Sequence, residues 1–323
     1  NFGQDSSFIG EKTAQGNGGD GEDFYYTPPS GYLALCSDNL PDPAIALPTD
    51  HFNTLIWTGN DSNPRSFTGV GFQPDFVWSK GRSLDYSHSL YDSIRGGGAN
   101  AELQSNSTAV EGGGNQDQYG YLSSFDSDGF TAASGTSANN YFNNSSSTYV
   151  AWNWKAGGTA VSNTDGSLSS SVSANTTAGF SIVSYTGTGS AATVGHGLSQ
   201  KPDMIILKKR SGVAQWPVGL EQGSMDWTDY IALDKTSNSG DYPYWNDTAP
   251  TASVFSIGTD GDVNQSTGTY IAYCFHSVDG YSKVGSYEGN GSADGSFIYL
   301  GFKPEFFLIK NIDAVEGWEI WDG

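Results

Sequence analysis

The sequence predicts an all-β protein: tandem antiparallel β-sandwich, jelly-roll-like repeats behind an extended N-terminal arm. Three observations lead there. Turn-formers and aromatics are abundant, with 43 glycines in 323 residues and 14% aromatics, while charged residues are only 15%, against about 25% in an ordinary domain. No long segment carries apolar residues at i, i+3, i+4 and i+7, so helices are expected to be few and short. Above all, the chain repeats itself.

Three segments align: "WTGNDSNPRSFTGVGFQPDFVWSK" (57–80), "YTGTGSAATVGHGLSQKPDMIILK" (185–208) and "YEGNGSADGSFIYLGFKPEFFLIK" (287–310). Each opens on an aromatic residue, and a proline follows 17 positions later: Trp57 to Pro74, Tyr185 to Pro202, Tyr287 to Pro304. An acid follows each proline (Asp75, Asp203, Glu305), and a lysine comes six positions after it (Lys80, Lys208, Lys310). The residue before a proline is driven towards extended backbone, so the chain enters the next strand at a fixed corner. "DFVWSK", "DMIILK" and "EFFLIK" are short apolar runs that suit a central strand.

A second block occurs twice, "TYVAWNWKAGG" (148–158) and "TYIAYCFHSVDG" (269–280). Its alternation puts Val150, Trp152 and Trp154 on one face and Tyr149, Ala151 and Asn153 on the other; Ile271, Tyr273 and Phe275 repeat the aromatic face. Before these blocks lie "SFDSDGF" (124–130) and "SVFSIGTDGD" (253–262), read as strands closed by Asp-Gly turns. The organisation expected is therefore an arm over 1–50, a first sandwich over 51–160, a linker over 161–178, a second sandwich over 179–280 and an incomplete third repeat over 281–323. The linker reading rests on Ser, Thr, Asn and Gly content, although its Val and Leu residues suit an edge strand. Two packed sheets per repeat is the natural architecture. The third repeat reaches Trp321-Asp322, at the offsets that Tyr91-Asp92 hold from Pro74, but the closing block does not recur. Its strand edges and one apolar face are expected to lie open, a template for another chain.

The arm, "NFGQDSSF" (1–8) and "FYYTPPSGYLALCSDNLPDP" (24–43) around a Gly/Asp/Glu loop, is too short for its own core. It is expected to pack on a repeat or on a neighbouring subunit. "NFGQ" followed by "YTPPSGYLALCSDNLPDP" resembles the closing strands of a lectin-like SPRY domain found in large structural proteins of marine bacteriophages. Residues 71–80, 148–158, 185–208, 269–280 and 301–310 resemble the repeated β-domains that follow it there. The resemblance implies a virion or fibre-like component; only the end of the lectin-like domain is present, so no carbohydrate site carries over.

Net charge is −21, which would repel a phosphate backbone or an anionic membrane surface and argues against nucleic acid as a partner. No apolar run approaches the roughly 20 residues of a membrane-spanning helix. Position 1 is Asn, so a processed chain or a piece of a longer one is expected. Cys36 and Cys274 are expected to be two unlinked buried thiols.

Candidate chemistry is sparse. His51, His88, His196 and His276 show no metal-ligand spacing and no nucleophile beside them, and are expected to be structural. No acid pair is placed for glycoside hydrolysis, so no enzymatic activity is expected. Asp126 with Asp128, or Asp260 with Asp262, has the spacing to take Ca²⁺, though the full calcium loop is missing; otherwise no cofactor is expected. Trp57, Trp78, Trp152 and Trp154 are expected in cores. Trp216, Trp227 and Trp245 lie in a less regular insertion, and Trp216 and Trp245 are the candidate glycan contacts. Asn60, Asn106, Asn175, Asn246 and Asn290 head sequons and are candidate attachment sites, as are Asn143, Asn144 and Asn264 by the same pattern. The function expected is a structural protein of an extracellular fibre, filament or virion surface, polymerising head to tail by strand complementation. The alternative is a glycan-binding module of a phage tail fibre or virion surface.

Overall fold

The computed structural model describes residues 11–13, 43–137 and 140–323. The chain divides into two compact units, Asn1–Ala46 and Leu47–Gly323. Most of the expected arm, and Cys36, lie outside the described residues. The second unit is almost entirely β, with antiparallel sheets and, among the described residues, only single turns of helix such as α1 (Gln116–Tyr119) and α2 (Gly261–Asn264).

The first repeat contributes β1 (Phe52–Thr58), β2 (Arg65–Thr68), β3 (Phe76–Gly81), β4 (Ser89–Asp92), β5 (Tyr121–Asp126), β6 (Gly129–Ala133) and β7 (Thr148–Trp154). An inner sheet of order β1-β7-β3-β4 faces an outer sheet of order β2-β6-β5. Between them lies a core of Phe67, Val77, Tyr91, Leu122, Phe130, Phe142 and Ala151. Gly129 sits at φ +141° behind the β5–β6 turn, where a Cβ would run into the Phe67 carbonyl, so the Asp-Gly pair is required by backbone geometry.

The second repeat contributes β10 (Phe180–Thr186), β11 (Ala192–Gly195), β12 (Met204–Lys209), β13 (Pro217–Leu220), β14 (Asp229–Ala232), β15 (Gly240–Asp241), β16 (Val254–Ile257) and β17 (Thr269–Phe275). The order β10-β17-β12-β13 within its inner sheet repeats β1-β7-β3-β4 strand for strand, and β11-β16 is the outer sheet. The residues expected as a linker form β8 (Val161–Asn163) and β9 (Ser170–Asn175), which extend this inner sheet beyond β10. Val172 enters the second core, which is burial enough to order a segment whose composition reads as a linker. The second Asp-Gly, Asp260-Gly261, does not close a hairpin: Asp260 caps α2 by accepting a bond from the Asp262 N–H at 2.7 Å.

The third repeat supplies the hairpin β18 (Phe306–Lys310) and β19 (Trp318–Asp322), paired from Phe306 with Asp322 to Lys310 with Trp318. Strands β3, β12 and β18 all begin two residues after the repeat proline. The repeat lysines and acids now have physical roles. Lys80 donates to the carbonyls of Gly81 and Leu84, Lys208 to Thr108 and Ala214, and Lys310 to Asn311, Glu316 and Thr236. Each ammonium thus fastens the loop that follows its strand. Asp75 accepts from the Ala156 N–H at 2.8 Å and Asp203 from the Ser277 N–H at 2.7 Å. Each acid therefore holds the backbone two residues past its closing strand.

The aromatic faces of the closing strands do not point into their own sandwiches. Tyr149 and Ala151, like Tyr270, Ala272 and Cys274, face the outer sheet, while Trp152, Trp154 and Tyr273 enter a third core shared by both inner sheets and the hairpin. Within it Phe76 stacks on Tyr273 at 4.3 Å, and Phe306 packs on Trp152 at 5.4 Å. These contacts are equivalent: the residue two past the proline of one repeat meets the closing strand of another.

Candidate functional site

By the same rule, Met204 of the second repeat should meet a closing strand of the third. It meets none among the described residues. Met204, Ile206 and Leu220 instead line an open groove of about 1750 Å³ together with Val284, Phe306 and Leu308. Small-molecule pockets run to about 300–1,000 Å³, so this groove is larger than a usual metabolite site.

The hairpin beside the groove is half covered. Alternation turns Phe306, Leu308, Trp318 and Ile320 towards the shared core. Phe307 (40% exposed) and Trp321 (56% exposed) stack together on the other face. At the equivalent positions of the first repeat, Val77 and Tyr91 are fully buried beneath the outer sheet. Phe297, in the segment matching outer strands β2 and β11, and Tyr299 just past it are 92% and 81% exposed. One edge of β18 pairs with β19 and the other pairs with no described strand, whereas β7 and β17 occupy that edge of β3 and β12. Residues 282–288, which align with β1 and β10, form no strand. In the earlier repeats those strands pair with β7 and β17, and no such partner is described here. The Glu305 side chain, in the place of Asp75 and Asp203, is 61% exposed, with Lys303 at 3.8 Å.

A second polar feature ties the first two repeats together. Arg95 is fully buried and bonds Asp92 at 2.5 Å, Glu111 at 3.1 Å and the carbonyls of Leu90 and Ala101. The Tyr273 hydroxyl donates to Asp92 at 2.8 Å, and Glu111 also takes Arg210 at 2.9 Å. Nothing in the motif reading pointed to Arg95; its only sequence signal is a cation set just beyond a strand of apolar neighbours.

The predicted site residues fall elsewhere. Trp216 and Trp245 are fully buried, which corrects their assignment to a glycan-binding surface. Trp216 sits in the shared core and donates to the carbonyls of Gln104 and Ser107, while Trp245 meets Trp227 edge-on at 5.5 Å in the second core. Their burial comes from strands that the insertion itself adds to the sheet. The carboxylates proposed for Ca²⁺ are engaged internally. Asp128 accepts from the N–H groups of Gly69 and Gly71, which hold its carboxyl below the usual range. Asp126 accepts from Ser124 and Thr131, Asp260 from Tyr242, and Asp262 from Tyr244. Among the described residues no three His, Cys, Asp or Glu side chains converge as a metal would require. Asn60, Asn106, Asn246 and Asn290 are exposed. Asn175 is half-buried with its amide spent on His51, the Lys155 carbonyl and the Ala178 N–H, a poor attachment point. Asn143 and Asn264 are buried. Cys274 is a free, buried thiol, pushed up to about 12 by burial, and so is inert.

Two buried titratable groups near the first repeat oppose one another. Burial, with help from the Lys80 charge, lowers His88 to about 4; its Nδ1 accepts the Trp78 indole N–H at 2.9 Å, which suits the neutral ring. Burial raises Glu102 to about 7 against hydrogen bonds from Gln104, Gln116 and Ser89. A neutral folded histidine makes the unfolded chain bind more protons below pH 6.5, so its contribution is lost as pH falls towards 4. A folded carboxyl that keeps its proton has the opposite sign, losing its contribution as pH rises from 4.5 through 7. Between pH 4.5 and 6.5 the two slopes oppose one another. Glu102→Gln is expected to unmask the histidine: denaturant unfolding should show stability falling by about 3 kcal/mol from pH 6.5 to pH 4. A profile no steeper than the wild type's would refute the assignment.

No curated protein and no solved structure matches this chain. Residues 47–323 match a family described as a domain of unknown function, DUF7483. That span takes in both sandwiches, the hairpin and the groove, and the chain belongs to this family.

Proposed function

We propose that the protein is a structural subunit of an extracellular fibre or filament, joined head to tail by strand addition at its third repeat. The observation that carries this reading is the hairpin β18–β19, which offers an open strand edge and an apolar face of the kind that both earlier repeats cover. Strand addition supplies main-chain hydrogen bonds along the edge and side-chain pockets on alternate residues. A contact between unlike surfaces that does not close into a ring gives an open polymer. The acidic surface, with net charge −21, keeps free subunits soluble, and the resemblance to phage fibre-like proteins points the same way. The glycan-binding alternative stands second, because Trp216 and Trp245 lie in the cores. Sedimentation velocity and negative-stain microscopy of the purified protein, with and without calcium, should show end-to-end polymers. Discrete monomers under both conditions would overturn the reading.

A further inference from the structure

We infer that the second and third repeats each dock on the repeat before them through one recurring joint, in which a lysine and a tryptophan eight positions apart read the main chain of a loop. Loops 104–111 and 232–239 are then receptors for a β-hairpin bearing that pair. The first joint has three cross-repeat bonds. Trp216 Nε1 donates to the Gln104 carbonyl at 3.0 Å, Lys208 Nζ to the Thr108 carbonyl at 3.1 Å, and the Glu111 N–H to the Arg210 carbonyl at 3.1 Å. The second joint repeats all three. Trp318 Nε1 donates to the Ala232 carbonyl at 2.9 Å, Lys310 Nζ to the Thr236 carbonyl at 3.2 Å, and the Ser239 N–H to the Ile312 carbonyl at 3.0 Å.

The match holds position for position. Ala232, Thr236 and Ser239 stand 128 positions after Gln104, Thr108 and Glu111, which is the interval from Pro74 to Pro202. Lys310, Ile312 and Trp318 stand 102 positions after Lys208, Arg210 and Trp216, the interval from Pro202 to Pro304. In each hairpin the pair brackets the connecting loop. Lys208 lies near the end of β12 with Trp216 just before β13, and Lys310 ends β18 where Trp318 opens β19.

The receptor contributes only main-chain groups to these bonds, so its side chains are free to differ, as Gln104 does from Ala232 and Glu111 from Ser239. The ion pair of Arg210 with Glu111 at 2.9 Å strengthens the first joint, and Ile312 with Ser239 keeps the main-chain bond without it. Loop carbonyls covered by docking must find donors, and an indole N–H and an ammonium at the two ends of a hairpin loop supply them in a fixed orientation. The first repeat is the contrast. His88 stands in the place of the tryptophan and accepts the Trp78 indole N–H, while Lys80 bonds the Gly81 and Leu84 carbonyls of its own repeat. The joint lies inside one chain and acts whether or not subunits polymerise.

Hydrogen exchange at single amides of the full chain reads the two joints separately. The Ser239 amide follows four exposed loop residues, 235–238, and bonds across the second joint; the Glu111 amide reports on the first. Trp216 is fully buried, so the variants are made in the second joint, where Trp318 is half-buried. Trp318→Phe and Lys310→Met are each expected to speed exchange at Ser239 about five- to tenfold, as loss of one net hydrogen bond would, and to leave Glu111 unchanged. Thr236→Ala should leave Ser239 unchanged, because the carbonyl is what Lys310 meets. Replacing residues 311–317 by the sequence of 209–215 should keep Ser239 protected, since the pair stays eight positions apart, whereas deleting Ala314 should release it. Unchanged exchange in both Trp318→Phe and Lys310→Met would overturn the joint, as would acceleration at Glu111 equal to that at Ser239. A Thr236→Ala effect as large as that of Lys310→Met would overturn main-chain reading. Loss of protection in the loop exchange would overturn the receptor role.

Discussion

Arg95→Ala is expected to destabilise the protein by about 3–5 kcal/mol in urea unfolding, the usual cost of removing one partner from a buried ion pair. The Asp92 carboxylate beside it is fully buried, and after the change only the Tyr273 hydroxyl and local backbone N–H groups would remain to hold its charge. The carbonyls of Leu90 and Ala101 would lose their Arg95 donors as well. The damage would fall between repeats, because Tyr273 belongs to the second and Asp92 to the first. Lys201→Ala is the control. Its pair with Glu221 is about half exposed on both sides, and such pairs contribute about 0–1 kcal/mol. Equal losses for the two variants would show that the Arg95 cluster is not the clasp described.

The fold was legible where local chemistry repeats. The proline corner, with its acid and lysine, located β3, β12 and β18 to within one residue at each end, and the Thr-Tyr-x-Ala pattern located β7 and β17. Such signals report backbone requirements that act within a few residues. Partners in space were not legible. The alternation of "TYVAWNWK" separates two faces, but a strand buried on both sides gives no sign of which neighbour covers which face. Trp216 stood as a candidate glycan contact because its insertion lacks periodicity. Its burial depends on Gln104 and Ser107, more than a hundred positions earlier. Val161 and Leu168 hinted at an edge strand in the connector, yet composition outweighed them. Arg95 was missed because a buried cation is defined by the charges around it, and Glu111 and Tyr273 are distant in sequence. The open groove is a middle case. That the closing block does not recur in the given sequence is visible from the repeats, but the place of half-buried Met204 beside the groove follows only from the equivalent contacts of Phe76 and Phe306.

Phe76→Ala and Phe306→Ala, the same change at the same repeat position, are expected to differ in cost. Phe76 is buried and ringed by Trp154 at 5.2 Å, Phe180 at 6.1 Å and Tyr273 at 4.3 Å. Emptying such a site removes both transfer energy and packing, about 3–5 kcal/mol for a phenylalanine. Phe306 touches Phe52, Trp152 and Trp154 at 5.4–5.8 Å but is only half-buried against the groove. Its surroundings can relax and water already reaches one side, so about 1–2 kcal/mol is expected from the smaller apolar area lost. Urea unfolding of dispersed subunits should show this gap. If the proposed polymer forms, the gap should narrow in it, because a strand laid along β18 would shield Phe306 on the side now open. A Phe306 variant that costs as much as Phe76 in the dispersed subunit would mean that the third repeat is already closed, and the groove would then have no strand to receive.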